Sequence, residues 1–174
     1  MESEPLAVEY ANTLYAVRGD LREGLDTAAA LTAWLREHAV ADLDAADLAP
    51  FVALRDAVRD LARAVVTDQP APREALETLN ASAARAPRWP TLHADGQVVE
   101  RTAAAPDQAA LATLARAAVD LFAGPDRALL RACGGPGCVL FFVKRPPRRE
   151  WCSASCGNRA RVGRYYRRHH AAED

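Results

Sequence analysis

The sequence predicts an α+β protein: a mainly helical N-terminal domain with one β-hairpin, residues 1–128, then a small module built on four cysteines, residues 129–174. Three observations carry this. Apolar residues recur at three- and four-residue spacing through much of the first 125 positions. That period gives way to short β-leaning runs on either side of Asp95-Gly96. All four cysteines fall in the final quarter of the chain, as two close pairs.

The elements follow in order. Residues 6–15 read as a short apolar helix, followed by a polar loop through Gly19, Asp20 and Gly24. Asp26 is placed to cap a helix running to about His38, with Ala30, Leu31, Trp34 and Leu35 on one face. A second helix is expected from Asp44 or Ala45 to about Thr67. Within it Pro50 marks either a break or a first-turn position. Phe51, Leu54, Val58, Leu61 and Val65 form its inward stripe. Pro72 opens another helix with Ala75, Leu76 and Leu79 apolar. Residues 89–94 and 97–102 make the hairpin across Asp95-Gly96. Pro106 opens a long helix that Gly124 ends at C′, and residues 125–132 add a further helical turn or two.

The cysteines sit at Cys133-x4-Cys138 and Cys152-x3-Cys156. Tetrahedral zinc needs four sulfurs at about 2.3 Å, and two short pairs on two local turns supply that arrangement. Gly134, Gly135, Pro136 and Gly137 fill the first loop. Residues 139–143 read as a strand and Pro146-Pro147 as a turn, giving a treble-clef-like zinc module of strand and knuckle followed by a helix. Four thiolates leave no open coordination position, so the one Zn2+ is expected to be structural. Neither pair has the C-x-x-C spacing of thioredoxin-like redox motifs.

Charge is segregated. Residues 131–170 hold ten basic residues and one acid, a net +9, whereas residues 1–130 carry −8. An acidic body with a basic end is the pattern expected of a polyanion binder. On a helix over residues 154–170, Cys156, Val162 and Tyr166 fall in one sector, expected to face the metal and strand. Arg161, Arg164 and Arg168 form a stripe opposite, flanked by Tyr165 and Asn158. Arg145, Arg148 and Arg149 extend the positive surface. Asn158 suits either an adenine edge or the capping of a turn. Arg159 is placed to brace the knuckle or reach a phosphate. The partner this favours is DNA, with RNA or an acidic protein as the alternative and a homodimer as the means of enlarging the contact.

In the N-terminal domain Glu9, Tyr10, Asn12, Thr13, Arg18 and Trp34 are candidates for a small-molecule effector pocket, against the reading that Tyr10 and Trp34 are core and Asn12-Thr13 a helix end. No Ser-His-Asp order, phosphate-cradling glycine loop or His-x-x-x-His spacing is present, which points away from an enzyme. The absence of a long apolar run and of a secretory leader points to a cytoplasmic protein without a membrane partner.

The run Cys-Ser-Ala-Ser-Cys-Gly-Asn-Arg at residues 152–159 resembles the CGNR zinc-finger family of bacterial proteins, named for the tetrapeptide at Cys156, Gly157, Asn158 and Arg159. The lead-ins Leu130-Arg-Ala-Cys133 and Arg149-Glu-Trp-Cys152 fit as well, although Lys144 and Glu150 depart from the usual pattern. The front half is similar to that family's N-terminal ABATE domain, in Leu6-Ala-Val-Glu-Tyr-Ala-Asn-Thr13 and Leu31-Thr-Ala-Trp-Leu35. The resemblance implies a stress-induced, DNA-binding transcription regulator.

Overall fold

The computed structural model describes residues 3–44, 46–145 and 147–170, the side chains of 167–170 excepted. Helix α1 (Leu6–Ala11) leads into a hairpin of β1 (Leu14–Val17) and β2 (Asp20–Glu23). Then come α2 (Ala28–Glu37), α3 (Leu48–Val66) and α4 (Arg73–Ala84), the hairpin β3 (Trp89–Leu92) and β4 (Val98–Arg101), and α5 (Pro106–Ala123). A 3-10 turn, Pro125–Leu129, precedes β5 (Leu130–Ala132), β6 (Phe141–Val143) and α6 (Ala154–His170). The strands pair as three separate antiparallel two-stranded sheets.

Helix boundaries follow local chemistry. Thr27, rather than Asp26, caps α2, its side chain accepting from Ala30 N at 3.1 Å. Helix α3 begins after Asp47, whose carboxylate accepts from Ala49 N; Ala45 lies outside the described residues. Pro50 falls in the first turn of α3, where its missing N–H costs no helical bond.

Leu54, Val58 and Leu61 of α3 pack with Leu79 of α4, Leu111, Leu114 and Ala118 of α5, and Val8 and Tyr10 of α1 in one core. The Tyr10 hydroxyl donates to Phe51 O. No helix among the described residues is long and apolar enough to cross a membrane.

The loop expected after α1 is a hairpin, and α1 itself stops at Ala11. Its two-residue turn places Arg18 (φ 54°) and Gly19 (φ 95°) in the left-handed region that matches strand twist. The anticipated β3–β4 hairpin forms, with Trp89 opposite Arg101 and Gly96 at φ 84°. The stretch expected to continue as helix to Ala132 instead ends in β5, because its residues pair with β6: Leu130 faces Val143 and Ala132 faces Phe141.

The sheet of β5 and β6 is the wall shared by both parts of the molecule. Successive side chains on a strand point to opposite faces. Accordingly Leu130, Phe141 and Val143 join the helical core, while Phe142 packs with Cys133 and Cys156 on the other side. Two buried arginines of α3 complete the seam. Arg59 donates from Nη1 to Ala11 O (2.6 Å) and Leu14 O (3.1 Å), and from Nη2 to Val139 O (3.0 Å). One guanidinium thus satisfies the last carbonyl of α1 and the first of β1, and ties both to the segment between Cys138 and β6. Arg55, 2% exposed, forms a two-pronged pair with Glu23 at 2.7 and 2.6 Å, holding β2 against α3.

Candidate metal centre and basic helix

The Sγ atoms of Cys133, Cys138, Cys152 and Cys156 all lie within 4.8 Å of one another. Cys138 and Cys152 are 3.8 Å apart and Cys152 and Cys156 3.5 Å. A tetrahedron with metal–sulfur bonds of about 2.3 Å has sulfur–sulfur edges of roughly 3.8 Å. The donors therefore fit one tetrahedral ion, and four sulfurs fill its coordination.

Each ligand is placed by local structure. Cys133 follows β5 and Cys138 closes the turn before β6, with Cys138 N donating to Gly135 O. A Cβ on Gly135 would lie 2.9 Å from Cys156 Cβ and 3.2 Å from its Sγ, so only glycine admits the sulfurs this close. Cys152 N donates to Cys133 Sγ at 3.4 Å. Ser153 Oγ accepts from Cys156 N, fixing the first turn of α6.

The thiols are differently biased. Burial pushes Cys138 up to about 11 and raises Cys152 further. Burial also opposes ionisation of Cys156, but hydrogen bonds from Ser153, Cys152 and Arg159 outweigh it and bring that thiol down to about 7. Metal binding takes thiolates, so it acts against burial at Cys138 and Cys152 and with the local field at Cys156.

The tetrapeptide at 156–159 has a physical reading. Cys156 is a ligand. A Cβ on Gly157 would meet the Trp151 ring at 3.1 Å, so that ring packs directly on the helix backbone. Asn158 is exposed and accepts from Arg161 Nη2. Arg159 Nη2 donates to Cys156 Sγ at 2.9 Å, bracing the metal site.

The remaining basic residues fall into two groups. Arg149 is committed inward: it pairs with Glu4 at 2.5 Å, donates to the carbonyls of Val143, Trp151 and Cys152, and lies over the Phe142 ring. Arg145 pairs with Asp126 at 2.8 Å. Arg148, Arg161 and Arg164 are exposed. Arg164 sits over the Trp151 ring at 5.8 Å, and Tyr165 meets Tyr166 edge-on. The Arg168 side chain, and Pro146 of the expected turn, lie outside the described residues.

Two expectations need correction. Val162 and Tyr166 do not face the metal: they are 54% and 56% exposed, because α6 extends beyond the small module. Near Gly163 the helix still borders Pro136 of the knuckle, 3.9 Å from a Cβ placed there. Nor do the candidate effector residues line one cavity. Tyr10 and Thr13 are buried and bonded within the core, Trp34 stacks on His38 at 4.0 Å, and Arg18 occupies the β1–β2 turn. Asn12 instead exchanges two hydrogen bonds with the backbone of Phe141, and Glu9 Oε1 accepts from Glu4 N.

The seam residues Glu4, Arg55 and Arg59 escape a reading of the sequence, since their partners are distant and charged residues default to the surface. Nothing in the stretch between the two arginines, Asp56-Ala57-Val58, marks either of them as buried.

No curated protein matches the chain. Residues 4–125 match ABATE, described as "Putative stress-induced transcription regulator", and residues 129–169 match the CGNR zinc finger. The first match spans well over half of the sequence: the chain belongs to the ABATE family and carries a CGNR zinc finger, whose four cysteines are positioned to bind one zinc ion.

Proposed function

We propose that the protein is a zinc-dependent, DNA-binding transcription regulator in which α6 is the contacting element. One observation carries the reading. Among the described residues, the ion pairs joining the basic end to the acidic body are Arg149–Glu4 and Arg145–Asp126. Arg148, Arg161 and Arg164 have no acidic partner there, and α6 contains no acidic residue at all. Intramolecular neutralisation would have consumed those charges. Left outward on a zinc-braced scaffold, guanidinium groups suit phosphate oxygens and guanine edges.

In this reading the ABATE part holds the finger in place through Asn12, Arg59 and Glu4. One finger offers limited area, so a second copy of the chain shares any specific site. An effector would act through the same seam, although the six candidate residues do not line one cavity: Glu9 and Asn12 border a cleft that the other four do not.

The test is duplex binding followed by anisotropy. Affinity is expected to fall steeply with added salt, as counterion release demands. Replacing Arg161, Arg164 and Arg168 together by alanine is expected to lower affinity tenfold or more, with zinc content unchanged. Unaltered binding would remove α6 from the interface. Exposed Tyr165 and Tyr166 favour a second reading, stacking on unpaired bases of RNA. Structured RNA and an acidic peptide as competitors separate that reading, and protein docking, from the first.

A further inference from the structure

A cleft of about 560 Å³ opens between Arg145, residues 148–151 and the first turns of α6. Its walls carry Arg145, Arg148, Arg149 and Arg161, with Trp151 as an apolar surface. We propose that this cleft is a phosphate seat, taking one phosphodiester group of a duplex backbone and thereby fixing where α6 lies on DNA. The proposal rests on the DNA-binding reading above and separates two tasks within it.

The acids bordering the cleft are Glu4 and Glu150. Glu4 is held by Arg149 and by Val143 N, so the charge of one wall is already balanced. Arg145 is tied to Asp126. Arg148 and Arg161 remain, from two different segments, bordering the same concavity and without an acidic partner among the described residues. Two guanidinium forks around one concavity match a tetrahedral oxyanion better than they match a base edge.

The surroundings are rigid. Trp151 is packed against Gly157 and Arg164, and Arg149 is anchored by three carbonyls. A flat positive stripe would accept backbone phosphates anywhere along its length. A concave, braced site selects one and sets the register of the helix. Phosphate contacts of this kind position a protein without reading sequence. Arg164 and Tyr165, further along α6, are left for the bases.

The zinc-loaded full chain should be titrated with sodium phosphate, and with chloride at matched ionic strength, while the Trp151 indole N–H is followed by NMR. The expected result is a saturable shift with phosphate alone, abolished by Arg148→Ala. Arg148 is exposed and makes no hydrogen bond or ion pair among the described residues, so the variant keeps its fold, which zinc stoichiometry confirms. On duplexes of unrelated sequence the same variant should bind about three- to tenfold more weakly, with the salt slope reduced by about one. If Arg148→Ala leaves affinity and slope unchanged on a duplex that the wild type binds, the seat is wrong and the DNA reading survives. If phosphate shifts Trp151 but no duplex binds, the DNA reading fails, and the source of the phosphate is a soluble ligand. If neither occurs, both fall.

Discussion

Asn12 and Phe141 are 129 positions apart and exchange two hydrogen bonds of 2.9 Å, Asn12 Nδ2 donating to Phe141 O and Phe141 N donating to Asn12 Oδ1. A side-chain amide here does what a neighbouring strand would do, pairing the free edge of β6 beside the metal centre. Phe141 is nearly buried, so its backbone groups have little access to water. Asn12→Ala would leave both without protein partners and is expected to cost about 2–4 kcal/mol, lowering the melting temperature by about 5–15 °C. Asn12→Asp keeps the acceptor but sets a carboxylate against Phe141 O, and should be no better. Thermal unfolding followed by circular dichroism decides it, and an unmoved transition for both variants would mean the pairing contributes nothing.

Zinc removal should reach the helices as well as the finger. Leu130, Phe141 and Val143 belong to the main core, and Arg59 ties Val139 to Ala11 and Leu14. Structural zinc contributes roughly 10–16 kcal/mol of apparent binding free energy in small modules. Chelation is therefore expected to lower the melting temperature of the whole protein by about 10 °C or more, in one cooperative transition. Two transitions, with the helical one unmoved, would show that the finger folds as an independent appendage.

The Arg55–Glu23 pair predicts a pH dependence. The hydrogen bonds from Arg55 hold the Glu23 carboxyl below the ordinary glutamate range, against the smaller opposing effect of burial. A carboxyl depressed in the folded state adds stability that is fully present above its unfolded pKa, and that stability is lost as pH falls through the folded value. Glu23→Gln should cost about 1–3 kcal/mol at neutral pH, a modest figure because Glu23 is one-third exposed. The difference from wild type should shrink as the medium is acidified below about pH 4.5. A gap independent of pH would assign the loss to packing rather than to charge.

Much of this was legible in the sequence where the signal was local. Two cysteine pairs on short loops announced the metal site, Asp95-Gly96 announced the β3–β4 hairpin, and the helix expected over residues 154–170 is α6. The β1–β2 hairpin was not legible, because its turn puts Arg18 in a conformation that arginine rarely signals. Nor was the burial of Arg55 and Arg59, since partners 32 to 80 positions away leave no trace in a local pattern. Helical projection placed Val162 and Tyr166 with Cys156 correctly in angle, but it carries no information on how far the module extends along the axis.

Arg159 and Arg164 lie five residues apart on α6 and should separate cleanly by experiment. Arg159 donates to Cys156 Sγ, and Arg164 covers the Trp151 ring. A donor to a metal-bound sulfur spreads its charge and steadies the ligand, and loss of such outer groups typically weakens metal affinity about 10–100-fold. Arg159 is solvent-exposed, so the lower end, about tenfold, is expected for Arg159→Ala in competition with a chromophoric chelator. At saturating zinc its DNA affinity should stay within about twofold of wild type. Arg164→Ala should behave in the opposite way, with zinc affinity retained and duplex binding reduced. If Arg159→Ala instead kept its zinc and lost DNA, its guanidinium would belong to the interface, and the bond to Cys156 would be incidental.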